Sequence, residues 1–179
     1  VGERAARLIA EAEAEATRAL QLDNTNALAL AYYAEILADQ QKLTQAEQYI
    51  RQALDRNPNL MDVHRVNAYV QESMTNYNGA IQEYERAIEL TPNLTFLYID
   101  MSVNLRHLKQ YDRALESFTK AVNINKQLGV LDPIPYLAIG KTYSQTGDFF
   151  AASLNVRKAL EIEPQTPDVY GQLGIVYFK

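Results

Sequence analysis

A chain of 179 residues, 47% hydrophobic and 22% charged, is composed like a folded globular protein, which argues against a disordered chain. Its net charge of -5 argues against general affinity for nucleic acid, because that needs a basic face able to displace counterions from phosphates. Cysteine is absent, which excludes disulfides, thiolate metal sites and a cysteine nucleophile but leaves the redox compartment open.

No apolar run approaches the roughly 18 residues of a membrane span, and the N-terminus lacks the order of a signal peptide. The chain starts at Val1 and stops at Lys179 within an apolar pattern, so it reads as a fragment that would have lost any targeting signal. The compartment is therefore unknown, with the cytoplasm as first expectation.

In chain order, Val1 to Leu22 is rich in Ala, Glu, Arg and Leu, the strongest helix formers, and reads as one helix. Ala12, Ala16, Ala19 and Leu22 place its second half in register with the second helix of the hairpins that follow. Asp23 to Asn26 supplies a turn and an N-cap. A 34-residue period then relates Ala46, Ala80 and Ala114, Ala53, Ala87 and Ala121, Pro58 and Pro92, and Tyr77 and Tyr111. A period of this size is the mark of a solenoid.

The units run 27–60, 61–94 and 95–128, each a helix, a short turn and a helix. In the first, Leu30, Tyr33, Ala34 and Leu37 share one face of the first helix, and Ala46, Tyr49, Ile50, Ala53 and Leu54 answer from the second. Thr44 and Glu47 have the spacing of a capping box opening that second helix. Two helices approach closely only where a partner lacks bulk. Ala34, Ala68, Ser102 and Gly140 take that place on the first helices, and Ala46, Ala80, Ala114 and Ala152 on the second. Pro58, Pro92 and Pro164 end three units by disfavouring helix at the residue before them, and Lys126 stands there in the third.

Ala114 and Ala152 are 38 residues apart, one helical turn more than the period. The extra turn is expected at the end of the second helix of 95–128, with Gly129 near its C-terminus and Asp132 and Pro133 as N-cap and first helical position of the next. Residues 129–132 are then an insertion, 133–166 a fourth repeat and 167–179 the first helix of a further one, while 1–26 holds the second helix of a partial repeat. All belong to a single array.

With Tyr136, Ile139, Gly140, Tyr143, Gly147, Asp148, Phe149, Ala152, Ala159 and Pro164 at the signature spacings, the pattern resembles the tetratricopeptide repeat (TPR) family. The resemblance spans about residues 12 to 179, and 61–94 departs from it in its first helix. It implies an all-α fold, a right-handed α-solenoid of antiparallel helix-turn-helix hairpins. It also implies a protein-protein interaction scaffold that binds a peptide or partner segment in a concave groove lined by the first helices, without catalysis. The alternative is a non-catalytic TPR arm of a larger enzyme or of a secretion or assembly machine.

By the same resemblance, the groove-facing positions are the second, fifth, ninth, twelfth and thirteenth of each unit. They fall on Leu28, Ala31, Glu35, Ala38 and Asp39, on Asp62, Arg65, Tyr69, Glu72 and Ser73, on Phe96, Ile99, Val103, Arg106 and His107, and on Ile134, Leu137, Lys141, Ser144 and Gln145. The candidates for partner binding are Glu35, Asp39, Arg65, Tyr69, Phe96, Ile99, Val103, Arg106 and Lys141. The set is acidic early, apolar in the middle and basic late, which suits a ligand with an apolar centre and opposite charges at its ends, or else an ordinary solvated inner face. The family's carboxylate clamp for chaperone tails needs Lys and Asn where this chain has Ala31 and Glu35, so that ligand is not expected.

His64, Asn67 and Gln71 occupy positions that are mostly apolar in the neighbouring repeats, as either a locally satisfied degenerate face or a polar hinge or ligand cluster. No nucleotide loop, His-Glu-x-x-His or nucleophile elbow is present, so neither cofactor nor metal is expected. His64 and His107 read as structural or surface residues. The Asn93-Leu94-Thr95 sequon carries no assigned role. The final segment, with Tyr170, Leu173, Ile175, Val176, Tyr177 and Phe178, is too apolar for a solvating cap, which predicts self-association through it unless further repeats follow.

Overall fold

The computed structural model of the chain describes the backbone of residues 2–165 and 167–178, and their side chains apart from those of residues 2, 3, 5 and 6. Val1, Thr166 and Lys179, on which three of the expected boundaries fall, lie outside the described residues. Among the described residues there are ten helices and no strand: α1 (Gly2–Leu22), α2 (Ala27–Asp39), α3 (Leu43–Arg56), α4 (Met61–Ser73), α5 (Tyr77–Leu90), α6 (Thr95–His107), α7 (Tyr111–Leu128), α8 (Ile134–Thr146), α9 (Phe149–Ile162) and α10 (Pro167–Phe178). They fall into two compact units, Val1–Pro92 and Asn93–Lys179. In the first, the hairpins α2–α3 and α4–α5 pack on each other and α1 packs on α2. In the second, α6–α7 and α8–α9 pack likewise and α10 covers α9.

One backbone device closes every hairpin. Gln41, Thr75, Lys109 and Gly147 hold the same place in the four turns and have φ of 61°, 59°, 58° and 87°. The next amide reaches back over the helix end, from Lys42 to the Leu37 carbonyl (2.8 Å), Asn76 to Gln71 (2.8 Å), Gln110 to Leu105 (2.9 Å) and Asp148 to Tyr143 (3.0 Å). This is the Schellman closure, in which a left-handed residue satisfies carbonyls that the helix end leaves open. Only Gly147 enters that region without a Cβ penalty, which is of the order of 1 kcal/mol or more for the other three. Thr75, being β-branched, is the most strained.

The closure also decides where the second helices begin. Position 42 becomes the N-cap of α3, so Thr44 lies inside the first turn and the expected capping box does not form; Lys42 offers no side-chain cap. At the equivalent places Asn76 accepts from the Gly79 amide (3.2 Å) and Asp148 from the Ala151 amide (2.9 Å). Asn26 caps α2 through the Ala29 amide at 3.0 Å.

At the other end, Asn57, Thr91 and Glu163 leave the helix at φ/ψ of -149/88°, -145/82° and -134/88°, as a following proline demands. α7 meets no proline and runs for 18 residues, against 14 in α3, α5 and α9. It ends at Gly129 in the left-handed region (φ 68°). The Asp132 carboxylate then accepts from the Ile134 amide (2.9 Å), while Pro133 takes the N-cap position, so α8 starts one residue later than the sequence reading has it.

The small residues sit where the helices of a hairpin touch. Ala34, Ala46, Ala68, Ala80, Ser102, Ala114 and Ala152 have no exposed surface. A Cβ added to Gly140 would fall 2.5 Å from Val156 Cγ2 and 3.2 Å from the Ala152 carbonyl oxygen, so α8 and α9 meet almost backbone to backbone there. α10 buries Val169 and Val176 and leaves Tyr170, Ile175, Tyr177 and Phe178 exposed.

Two substitutions test this account of the hairpin. Thr75→Gly removes the strained Cβ and is expected to stabilise the fold by about 1 kcal/mol. Ala114→Leu overpacks a closed helix contact and is expected to cost about 1–3 kcal/mol. Urea unfolding midpoints that move in the same direction for both would overturn the assignment.

Candidate functional site

In the unit formed by residues 1–92, the first helices of the two hairpins, α2 and α4, are linked by three side-chain pairs of one offset. The Tyr32 hydroxyl donates to Asp62 (3.3 Å), Arg65 donates two parallel hydrogen bonds to Glu35 (2.9 and 2.8 Å), and the Tyr69 hydroxyl donates to Asp39 (2.5 Å). Each pair is 30 residues apart, which is the repeat less one helical turn, so a residue on α2 meets the residue one turn before its counterpart on α4. The Arg65 guanidinium also lies 5.9 Å from the centre of the Tyr32 ring and 3.8 Å from Asp62.

The protonation of these groups follows from their neighbours. The Glu35 hydrogen bonds hold the Arg65 guanidinium further above its usual range, against the opposing effect of burial. Asp39, with burial second, pushes the Tyr69 hydroxyl up to about 12. Burial, followed by the Asp62 charge, raises Tyr32 as well. Among the described residues of α2 and α4, Glu35, Asp39, Asp62 and Glu72 stand with Arg65, Tyr32 and Tyr69 around these contacts.

The expected groove positions are not all open. Ala31 and Ala38 are 0% and 1% exposed and pack in one core cluster with Val63 and Val66, so no ligand reaches them. This corrects the sequence reading: both alanines belong to the buried core that α2 shares with α4. Tyr32, by contrast, lies outside the assigned groove positions. Its signal was present as chemical complementarity at an offset of 30, which matches tyrosine to aspartate at 32 and 62 and again, reversed, at 39 and 69.

In the unit formed by residues 93–179, Phe96, Ile99, Val103 and Arg106 recur at helical spacing along α6. Phe96 is 40% exposed, and Ile99 and Val103 are half-buried. The half-buried Arg106 donates from Nε to the Gln145 side-chain oxygen (3.1 Å). Among the described residues no carboxylate comes within ion-pair distance of Arg106 or of Lys141 on α8. Burial without a counter-charge lowers the Arg106 pKa. A small recess of about 100 Å³ opens there between Val103, Arg106, His107 and Gln145.

The polar face of α4 is largely accounted for within the fold. His64 has Nδ1 2.7 Å from a Glu83 carboxylate oxygen and Nε2 2.8 Å from the Pro58 carbonyl oxygen. The Gln71 side-chain oxygen accepts from Asn76 (2.7 Å), and Asn67 is buried. Only the imidazolium can donate from both nitrogens at once. Glu83 chiefly, and then the Pro58 carbonyl, raise the His64 pKa against burial and the Arg86 charge.

No cluster of three or more metal-ligating side chains occurs among the described residues. No helix among them is long and apolar enough to cross a membrane.

Antiparallel helical hairpins of nearly constant length, repeated at a fixed period and joined by one turn type, define an α-solenoid. The chain belongs to the tetratricopeptide repeat family, whose sequence profile matches residues 28–60, 68–94, 97–128 and 135–166. The second match begins only at residue 68, beyond His64 and Asn67.

A BBSome complex member, BBS4 of Bos taurus, is 27% identical over 103 residues, which cover 58% of this chain and 18% of that protein. The chain thus spans under a fifth of the length of the curated relatives it matches. Among solved structures, TTC0263, a thermophilic TPR protein of Thermus thermophilus, superposes with a TM-score of 0.79 at 17% identity, over 100% of this chain and 95% of that one. YrrB, a TPR protein with an unusual peptide-binding site, gives a TM-score of 0.71 at 20% identity, over 94% of this chain and 84% of that one. At these identities the likeness is one of fold.

The stabilisation from His64 is full below its unfolded-state value near pH 6.5 and is lost as the pH rises through its higher folded-state value. The difference in urea midpoint between the wild type and His64→Gln is therefore expected to be larger at about pH 5.5 than at about pH 9. A difference that is constant across that range would mean that His64 is not held as the cation.

Proposed function

We propose that the chain acts as a non-catalytic protein-interaction scaffold whose first-helix faces receive extended segments of partner proteins. The face of residues 93–179 takes an apolar segment that carries acidic groups. One observation carries this reading: Arg106 is half-buried beside the apolar row Phe96, Ile99 and Val103, and no carboxylate among the described residues answers it. A partner carboxylate would supply the missing charge in a partly desolvated place, where such a pair contributes more than at an open surface. Lys141 adds a second cation. The face of residues 1–92 has the opposite character and suits a basic segment, with Glu35, Asp39 and Asp62 as counter-charges and Tyr32 and Tyr69 as rings for a cation.

Membership of the TPR family supports an interaction role, and YrrB is a relative in fold with a peptide-binding site. A second reading, an arm within a larger assembly, draws on the likeness of residues within this chain to a member of the BBSome complex.

The test uses two fluorescein-labelled peptides, one of alternating Leu and Glu and one of alternating Leu and Lys. Arg106→Glu combined with Lys141→Glu is expected to weaken the Glu peptide by about tenfold or more, to leave the Lys peptide no weaker, and to leave the helical circular dichroism unchanged. Equal affinity of the wild type and the double variant for the Glu peptide would overturn the reading.

A further inference from the structure

The extra turn of α7 changes what lies beneath the connection that follows it. The second helices α3, α5 and α9 stop at a residue before proline, whereas α7 continues past that place from Lys126 to Leu128 and turns at Gly129. Residues 129–133 then return to α8 over a cavity of about 230 Å³. Its walls are Val122 from α7, Val130 and Leu131 from the connection, Tyr136 from α8 and Ile162 from the end of α9. It shares no lining residue with the face that carries Phe96, Ile99, Val103, Arg106 and Lys141.

The cavity is smaller than the ~300–1,000 Å³ typical of sites for whole small molecules, and its size suits a single large side chain. The connection and the helix ends on either side of it carry exposed aliphatic side chains, where a solvated turn should be polar. Leu128, Leu131 and Ile134 are 60%, 82% and 57% exposed, within seven residues of chain. Exposed aliphatic clusters of this kind mark places where another molecule packs.

The charges at the rim identify the occupant further. Asp132, the one carboxylate among the described lining residues, is engaged within the fold: it accepts from the Asn125 side chain (3.2 Å) and from the Ile134 amide (2.9 Å). Lys126 also lines the cavity and has no carboxylate within ion-pair distance among the described residues. Lys158 places its ammonium 5.8 Å from the centre of the ring of Tyr136, which lines the cavity. Of the two charged side chains that line the cavity, Asp132 is thus satisfied by the fold and the cation Lys126 has no carboxylate partner among the described residues.

We propose that the cavity under the 129–133 connection is a second docking site, which receives one large apolar side chain of a partner protein with an acidic residue next to it. The apolar side chain displaces water from Val122, Ile162 and the Tyr136 ring, and the acidic neighbour meets Lys126 at the rim. Buried single anchors of this kind dominate the energy of many interfaces, while a rim charge contributes less and sets preference.

The chain contains no tryptophan, so the fluorescence of an indole probe reports binding directly. The probes are N-acetyl-Trp-Glu-amide and N-acetyl-Trp-Gln-amide, titrated with the 179-residue chain and read by anisotropy and by the shift of the emission maximum. Saturable binding with a blue shift is expected, tighter for the Glu probe. Leu131→Asp changes an exposed side chain that the fold does not need, and it is expected to weaken both probes by about tenfold. Lys126→Glu is expected to weaken the Glu probe by about threefold or more and to spare the Gln probe.

Arg106→Glu with Lys141→Glu is expected to leave both probes unchanged, which separates this site from the first-helix face. Absence of saturable binding, or binding that Leu131→Asp leaves intact, would overturn the proposal. So would sedimentation showing a wild-type dimer that Leu131→Asp converts to a monomer, because the rim would then be covered by a second copy of the chain.

Discussion

The closest constraint in this structure is the contact between the two helices of a hairpin. At Gly140 it leaves no room for even a methyl group, since a Cβ there would enter Val156 and crowd the Ala152 carbonyl. Alanine or serine takes the same place in the other hairpins with no surface left exposed. Such proximity fixes the hairpin as a rigid piece, and the left-handed residue between its helices sets where the second helix starts. Once both are set, the remaining faces of the helices are free to differ from repeat to repeat. That is where this chain departs from a uniform array.

The departures are of two kinds. On α4, His64, Asn67 and Gln71 replace apolar side chains, and the fold answers two of them locally, His64 through Glu83 and the Pro58 carbonyl and Gln71 through Asn76. That pair of acceptors favours the imidazolium form of His64, because a neutral ring would point a lone pair at one of them. On α7, a lysine in place of proline allows one more turn, and the chain must then cross back by a route that leaves a cavity. The first departure is absorbed into the hairpin α4–α5. The second leaves apolar surface that the described residues do not cover.

Charge is arranged differently in the two compact units. In residues 1–92 the cation of the first-helix face, Arg65, is held by Glu35 and flanked by Tyr32 and Asp62, so it ties neighbouring hairpins together and leaves the face negative. In residues 93–179 Arg106 has a neutral amide for company. A paired guanidinium contributes chiefly to the geometry of the repeat stack, whereas one without a counter-charge favours an incoming anion. The same residue type on the same kind of face is therefore paired with a carboxylate in one unit and with a neutral amide in the other.

Much of this was legible in the sequence. The spacing of Ala46, Ala80 and Ala114 assigns the hairpins, Pro58, Pro92 and Pro164 assign their ends, and the four additional residues before Ala152 point to a longer helix. These features are local: a missing side chain, a fixed φ or a helical period acts within a few residues and needs no partner to be read. What only the tertiary structure decided depends on how helices are staggered. The pairing of 32 with 62, 35 with 65 and 39 with 69 rests on an offset of one turn between α2 and α4, and the burial of Ala31 and Ala38 rests on the same packing. The failed capping box at Thr44 and the cavity beneath residues 129–133 likewise follow from the path of the backbone through a turn, which residue types constrain but do not determine.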